Sequence, residues 1–236
     1  MRREHNKAEQ SYIGWLKSLG CVFYAPLDQE HGMTDLISGV TGTVPPANTN
    51  CSITWDNTLQ MYVIDNQCPY YAGLWWDGLN MFPNAVNGST LMRNVAKTML
   101  FTVRFITDPA YNYWNSVIGI GGGDNGQTYN VSTGSSRQLA EYLAPYMQVG
   151  LRAGTTAKIG LVRDGLKIWL LYDGAWYSQN NNDTWNQVYY TRFGQRMCIA
   201  NISNGNGSRT HIAGKDAYVF NTALDLATIR KIQGYE

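Results

Sequence analysis

From Cys21 onward the chain keeps a strict rhythm: short runs of Val, Ile, Tyr, Phe and Trp, cut roughly every ten residues by Gly, Asn, Asp or Pro. Many short strands at such turn spacing predict a β-sandwich or barrel. The clearest strand signals are Val22–Leu27, Gln60–Asp65, Thr98–Thr107, Ser116–Ile120, Met147–Ala153, Ala157–Arg163, Lys167–Tyr172, Met197–Ile202 and Asp216–Asn221. Hairpin turns are expected at Arg163-Asp164-Gly165 and again at Asp173-Gly174, because Asp-Gly accepts the positive φ angles of a tight reversal.

The two ends read differently. Between Glu9 and Leu19, the residues Tyr12, Ile13, Trp15, Leu16 and Leu19 fall at helical spacing, and Gly20 supplies a stop. The apolar stripe of this helix either docks on the body of its own chain or forms an arm held by a neighbouring subunit, with Tyr12, Trp15, Leu16 and Leu19 as the contact residues. At the other end Asp225 is placed to cap a helical turn carrying Leu226, Ile229 and Ile232, with Arg230 and Lys231 near its C-terminal dipole. No internal repeat or linker divides the rest. The expected fold is all-β, one continuous sandwich over residues 21–236, preceded by a helical arm over 1–20 and closed by the C-terminal helical turn.

Composition limits the partners. Eighteen basic and seventeen acidic side chains leave a net charge of +1, too little field to draw phosphate backbones or anionic lipid, so neither nucleic acid nor a membrane is an expected partner. Charged residues are 15% of the chain, against about 25% in an ordinary domain, so Asn, Ser, Thr, Gly and Tyr must cover the surface. The first ten residues are polar, and no apolar h-region follows them, so no export signal is expected. Cys21, Cys51, Cys68 and Cys198 are too scattered for a zinc ribbon or a redox pair and are expected as buried thiols.

Phe23-Tyr24-Ala25-Pro26-Leu27-Asp28 followed by Thr34-Asp35-Leu36-Ile37-Ser38-Gly39, then Ala157–Trp176, then Ile212–Ile232 look like the opening, centre and close of a concanavalin A-like lectin/glucanase domain of the LamG type, which the chain thus resembles. The resemblance implies an all-β, antiparallel two-sheet jelly-roll sandwich. The passage Trp15–Leu27, a helix running straight into the first strand, is similar to LamG-like proteins of phages and prophages of gut anaerobes. The resemblance implies a non-catalytic accessory structural protein of a bacteriophage virion, decorating the capsid or attached to a fibre or tail. It would be assembled in the host cytoplasm beside other virion proteins or copies of itself, and would show a glycan or host-adhesion surface. The alternatives are a secreted or cell-surface carbohydrate-binding protein and a glycoside hydrolase of the same superfamily.

The residues weigh against the hydrolase. Glucanases of this superfamily use a Glu-x-Asp-x-x-Glu strand, and Glu4, Glu9, Glu30, Glu141 and Glu236 offer no such spacing. Asp28, Asp35, Asp164 and Asp173 each lie at a turn, where Asp has a conformational job. His5, His31 and His211 are isolated from any ligand pattern, so structural or solvent-facing roles are expected. Gly121 to Gly126 fits Gly-x-Gly-x-x-Gly, but strand and turn residues follow it where a dinucleotide site needs a helix. No cofactor is expected; calcium is the one ion that loop could join, through Asp124 and Asn125, which alone supply too few oxygens.

Aromatic clusters carry the remaining signal: Tyr70, Tyr71, Trp75 and Trp76; Tyr111, Tyr113 and Trp114; Trp176, Tyr177, Trp185, Tyr189 and Tyr190. Sugar rings stack on such side chains while a few polar groups fix their orientation. Trp75, Trp76, Trp114, Trp176 and Trp185 are therefore the candidate glycan-binding residues, although core filling and subunit contact use the same residue types.

Overall fold

The computed structural model describes residues 2–44, 50–67, 73–83, 95–108, 115–121, 128–134, 138–141, 146–147, 149–165, 167–180, 195–200 and 210–235. In chain order the elements are α1 (Arg2–Ser18), β1 (Cys21–Ala25), β2 (Cys51–Asp56), β3 (Met61–Asn66), β4 (Leu74–Asp77), β5 (Lys97–Phe105), β6 (Asn115–Gly121) and β7 (Thr128–Gly134). They continue with β8 (Gln138–Glu141), β9 (Tyr146–Met147), β10 (Thr156–Asp164), β11 (Lys167–Tyr172), β12 (Ala175–Asn180), β13 (Arg196–Ile199), β14 (Thr210–Phe220) and α2 (Leu226–Ile232). Among the described residues the strands form two antiparallel sheets, as expected. The larger is ordered β12-β11-β10-β5-β14-β3-β2, with β1 also paired to β14; the smaller is β4-β13-β6-β7-β8-β9. This is an antiparallel two-sheet jelly-roll sandwich.

Strand alternation builds two apolar layers rather than one. On β5, Met99, Phe101, Val103 and Phe105 point between the sheets, where they meet Phe23, Ile64, Trp76, Ile118 and Ile159. The other face of the larger sheet carries Leu100, Val162, Leu171, Tyr218 and Phe220, and both helices lie on it through Leu16, Ile229 and Ile232. With both faces covered, β5 is buried along nearly all its length. The stripe of α1 thus packs on its own sandwich: Leu16 is fully buried, and Tyr12 Oη lies 3.1 Å from Tyr218 Oη. Of the two settings expected for Tyr12, Trp15, Leu16 and Leu19, this is the intramolecular one, and the reading of these four as an interface arm is corrected accordingly.

The turns follow the sequence. β11 and β12 reverse at Asp173-Gly174, with φ of 46° and 74°, the pair of left-handed residues a two-residue hairpin needs. β10 and β11 reverse at Gly165, φ 57°, with Asp164 opposite Lys167. At the end of α1, Gly20 has φ 83°, and a Cβ there would sit 2.6 Å from Asn221 Oδ1, so glycine is required by both backbone and space.

Several expectations need correction. α1 begins at Arg2 rather than Glu9, its polar first turns carried by the anchored second half. Met147–Ala153 is not one strand: β9 ends at Met147, and a turn follows at 153–154. β2, β4, β7 and β8 are not among the expected strands, β12 is expected only through the Asp173-Gly174 reversal, and β14 begins at Thr210 rather than Asp216. Cys21 and Cys198 are buried, Cys51 is only half-buried, and Cys68 lies outside the described residues.

Candidate functional site

β4 reads Leu74-Trp75-Trp76-Asp77, and a strand sends neighbours to opposite faces. Leu74 and Trp76 go between the sheets. Trp76 is fully buried, edge-on to Phe23 with ring centres 5.1 Å apart, and its Nε1 donates to Met33 O at 2.7 Å. Trp76 is therefore a core residue, and its expected place on a glycan surface is corrected. Trp75 and Asp77 take the outer face of the smaller sheet.

Register then places Arg196 opposite Asp77 and Cys198 opposite Trp75 on β13. Arg196 donates through Nε to Asp77 Oδ1 at 2.6 Å and through Nη2 to Oδ2 at 2.9 Å, the two-pronged geometry that fixes a planar guanidinium. The same guanidinium lies 3.9 Å over the Trp75 ring. Arg196 is 4% exposed and Asp77 48%, so a buried cation is held from inside while its carboxylate partner still faces water. Beyond Asp77 the chain turns at Gly78, φ 78°, and Leu79 N donates to Gln195 O at 3.0 Å. Asp77, Gly78, Leu79, Asn80 and Gln195 border an open hollow of about 400 Å³, with Asn80 and Gln195 exposed. Pockets of this size suit small ligands.

The other candidate residues do not join this site. Trp176 is half-buried on the helix-covered face of the larger sheet, edge-on to Trp169 at 5.3 Å. Tyr177, its neighbour on β12, is 54% exposed and points to the other face. Trp114 and Trp185 lie outside the described residues, as do Tyr70, Tyr71, Tyr111, Tyr113, Tyr189 and Tyr190 and the calcium candidates Asp124 and Asn125. The sequence reading missed Arg196, Asn80 and Gln195; Arg196 and Asp77 are 119 residues apart, and no local signal links them.

The turn aspartates hold backbone. Asp35 is fully buried and accepts from Tyr24 N at 2.8 Å, Ile37 N at 3.0 Å and Ser38 N at 3.1 Å, tying the loop after β1 to that strand. Asp28 accepts from His31 N at 2.8 Å, and the His31 ring bridges Asp28 at 3.0 Å and Glu9 of α1 at 2.9 Å. Burial opposes charge on His31, but Asp28, Glu9 and Glu30 outweigh it and raise its pKa. His31 has the structural role expected of it.

No protein-family model matches the chain, and no curated protein matches it, so the LamG likeness remains one of short segments. Solved structures do share its architecture. It is similar to a Trypanosoma rangeli sialidase in complex with sialic acid at 15% identity and TM-score 0.59, over 89% of this chain and 32% of that one. It is also similar to botulinum neurotoxin type C, at 9% identity and TM-score 0.61, over 92% of this chain and 51% of that one. Domain 4 of AbnA, an extracellular arabinanase of Geobacillus stearothermophilus, in complex with arabinotriose, matches at 8% identity and TM-score 0.58, over 90% of this chain and 97% of that one. The chain spans about a third of the sialidase and half of the toxin chain. At such identities the likeness concerns architecture alone: the chain is a β-sandwich of the fold that these proteins contain.

Proposed function

We propose that this chain is a non-catalytic carbohydrate-binding sandwich whose glycan site is the hollow at the β4–β13 end of the smaller sheet. The observation that carries this reading is Asp77, which is fixed by the two-pronged bond from Arg196, itself lying over the Trp75 ring, and borders an open, polar-rimmed hollow. Such a site needs rigid polar groups around an apolar floor, because a sugar offers hydroxyls at its edge and C–H bonds on its face. Asp77 supplies acceptors with a fixed direction, and Asn80 and Gln195 supply both donors and acceptors. The likeness to an arabinotriose-bound domain over nearly its whole length supports the same reading. Virion display rests on the sequence resemblance alone, since the helix expected as its anchor is packed on its own sandwich.

A glycan array followed by calorimetric titration tests the proposal. Binding of a defined oligosaccharide is expected, weakened about ten-fold by Asn80→Ala or Gln195→Ala with the unfolding midpoint unchanged. No binding by the native chain, or binding indifferent to both variants, overturns it. Cleavage of the bound glycan, lost in Asp77→Asn, would overturn its non-catalytic part.

A further inference from the structure

β14 changes parity in its middle. Before residue 215 its inward side chains come from even positions, with Ile212 buried between the sheets and Gly214 facing the Phe101 ring; after it they come from odd positions, Ala217 and Val219. The cause is an irregularity between Lys215 and Tyr218, where Asp216 takes φ 54° and its N–H leaves the ladder for Pro26 O at 2.9 Å. In a regular strand Lys215 and Asp216 would point to opposite faces. Here both line one cavity of about 140 Å³ on the helix-covered face of the larger sheet.

Leu100, Phe101 and Ile232 supply the apolar part of the cavity lining, and the rest is polar. Thr102 of β5 is flanked by Lys158 of β10 and Lys215 of β14, its direct partners in register. Lys158 Nζ donates to Gln233 O and lies 4.4 Å over the Tyr235 ring, which fixes the segment after α2 as the opposite wall. The Gln233 side chain is 9% exposed, and neither its Oε1 nor its Nε2 finds a partner among the described residues. A buried amide without partners is costly, and this one borders the cavity. Burial also raises the pKa of Asp216, with Lys215 opposing, so the carboxyl sits in a poorly solvated position. Among the residues that line the cavity itself two ammonium groups outnumber one carboxyl, a local surplus of one positive charge, with Asp28 acting on Asp216 from outside the lining.

We propose that this cavity binds a hydroxycarboxylate group, with the hydroxyl on the α-carbon or the carbon next to it, its carboxylate between Lys158 and Lys215 and its hydroxyl on Gln233 and Asp216. One anionic charge matches the surplus cation, and the hydroxyl satisfies the orphaned amide. The volume is close to that of an engineered cavity which holds benzene, about 150 Å³, so the bound part has roughly six to eight heavy atoms. A free small hydroxy acid and the carboxylate edge of an acidic sugar share this chemistry. The site lies on the sheet opposite the proposed glycan hollow, and either can fail without the other.

NMR titration of the full chain with D-glycerate and with methyl β-D-glucuronide separates the two sources. Shifts at Thr102, Lys215 and Gln233 with glycerate alone support a free acid, and shifts with the glucuronide support an acidic glycan. In both cases Lys215→Gln or Gln233→Leu weakens binding about ten-fold. Lys215 is exposed, so its substitution removes no core packing, and an unchanged unfolding midpoint is expected for Lys215→Gln. Neither probe binding, binding indifferent to both variants, or equal binding of methyl β-D-glucoside, which lacks the carboxylate, overturns the proposal.

Discussion

Trp75 and Trp76 differ by one position and by everything that follows from it. Trp76 fills the space between the sheets, with Leu74 beside it and Gly42 so close that a Cβ would lie 2.6 Å from its indole Cε2. Trp76→Ala is expected to cost about 3–5 kcal/mol through cavity formation, read as a shift of the urea midpoint. Trp75→Ala, on the half-buried outer face, should cost less than half as much and reach the hollow only through Arg196, whose guanidinium rests on its ring and holds Asp77. Gly214 makes the converse point: a Cβ would lie 2.2 Å from Phe101 Cζ, so Gly214→Ala overpacks the core and should destabilise by about 1–3 kcal/mol in the same assay. Burial pushes the Cys21 thiol up to about 12, which makes it a packing residue rather than a nucleophile.

At the scale of elements, the two helices depend on ionisable contacts of opposite sign. α2 is capped by Asp225, which accepts from Thr228 N at 2.8 Å and Thr228 Oγ1 at 3.0 Å. These bonds lower its pKa, so the cap's contribution is present above the unfolded carboxyl value, about 3.9, and is lost as pH falls through the lower folded value. Asp225→Ala should cost about 1 kcal/mol at neutral pH, and the difference from the parent should vanish in acid denaturation curves. α1 is tied down by His31, whose pKa is raised in the fold. Its contribution is therefore complete below the unfolded value, about 6.5, and is lost as pH rises through the folded one. His31→Gln should lower the melting temperature at pH 6 and have much less effect at pH 9. An equal effect at both would show that the ring acts by packing.

For the molecule as a whole, the last long strand is its centre. β14 pairs with β5 along one edge and with β3 and then β1 along the other, so residues 210–220 join strands from both ends of the chain. A chain ending before Thr210 loses all three pairings and the seat of both helices, and should show no cooperative unfolding transition by circular dichroism. Such long-range pairing also predicts folding in milliseconds to seconds rather than microseconds, measurable by stopped flow.

Strand-forming runs, the Asp-Gly reversals and the Asp225 cap were legible in the sequence because each depends on residues next to one another: β-branched and aromatic side chains, a dipeptide that tolerates positive φ, a carboxylate three residues before a free N–H. Once β4 is a strand, alternation sends Trp75 and Trp76 to opposite faces. Which of them faces inward was not legible, since that depends on where the second sheet lies. The same holds for Arg196 meeting Asp77 across 119 residues, and for α1 covering the sandwich rather than a neighbour. β14 shows the limit most plainly. Its bulge reverses the alternation between Gly214 and Ala217, so the linear pattern breaks where the strand continues, and only pairing with β5 on one side and β3 and β1 on the other makes those eleven residues one strand. Local chemistry sets what a segment can form; packing across the sheets sets which face is buried, and with it which side chains are left to bind.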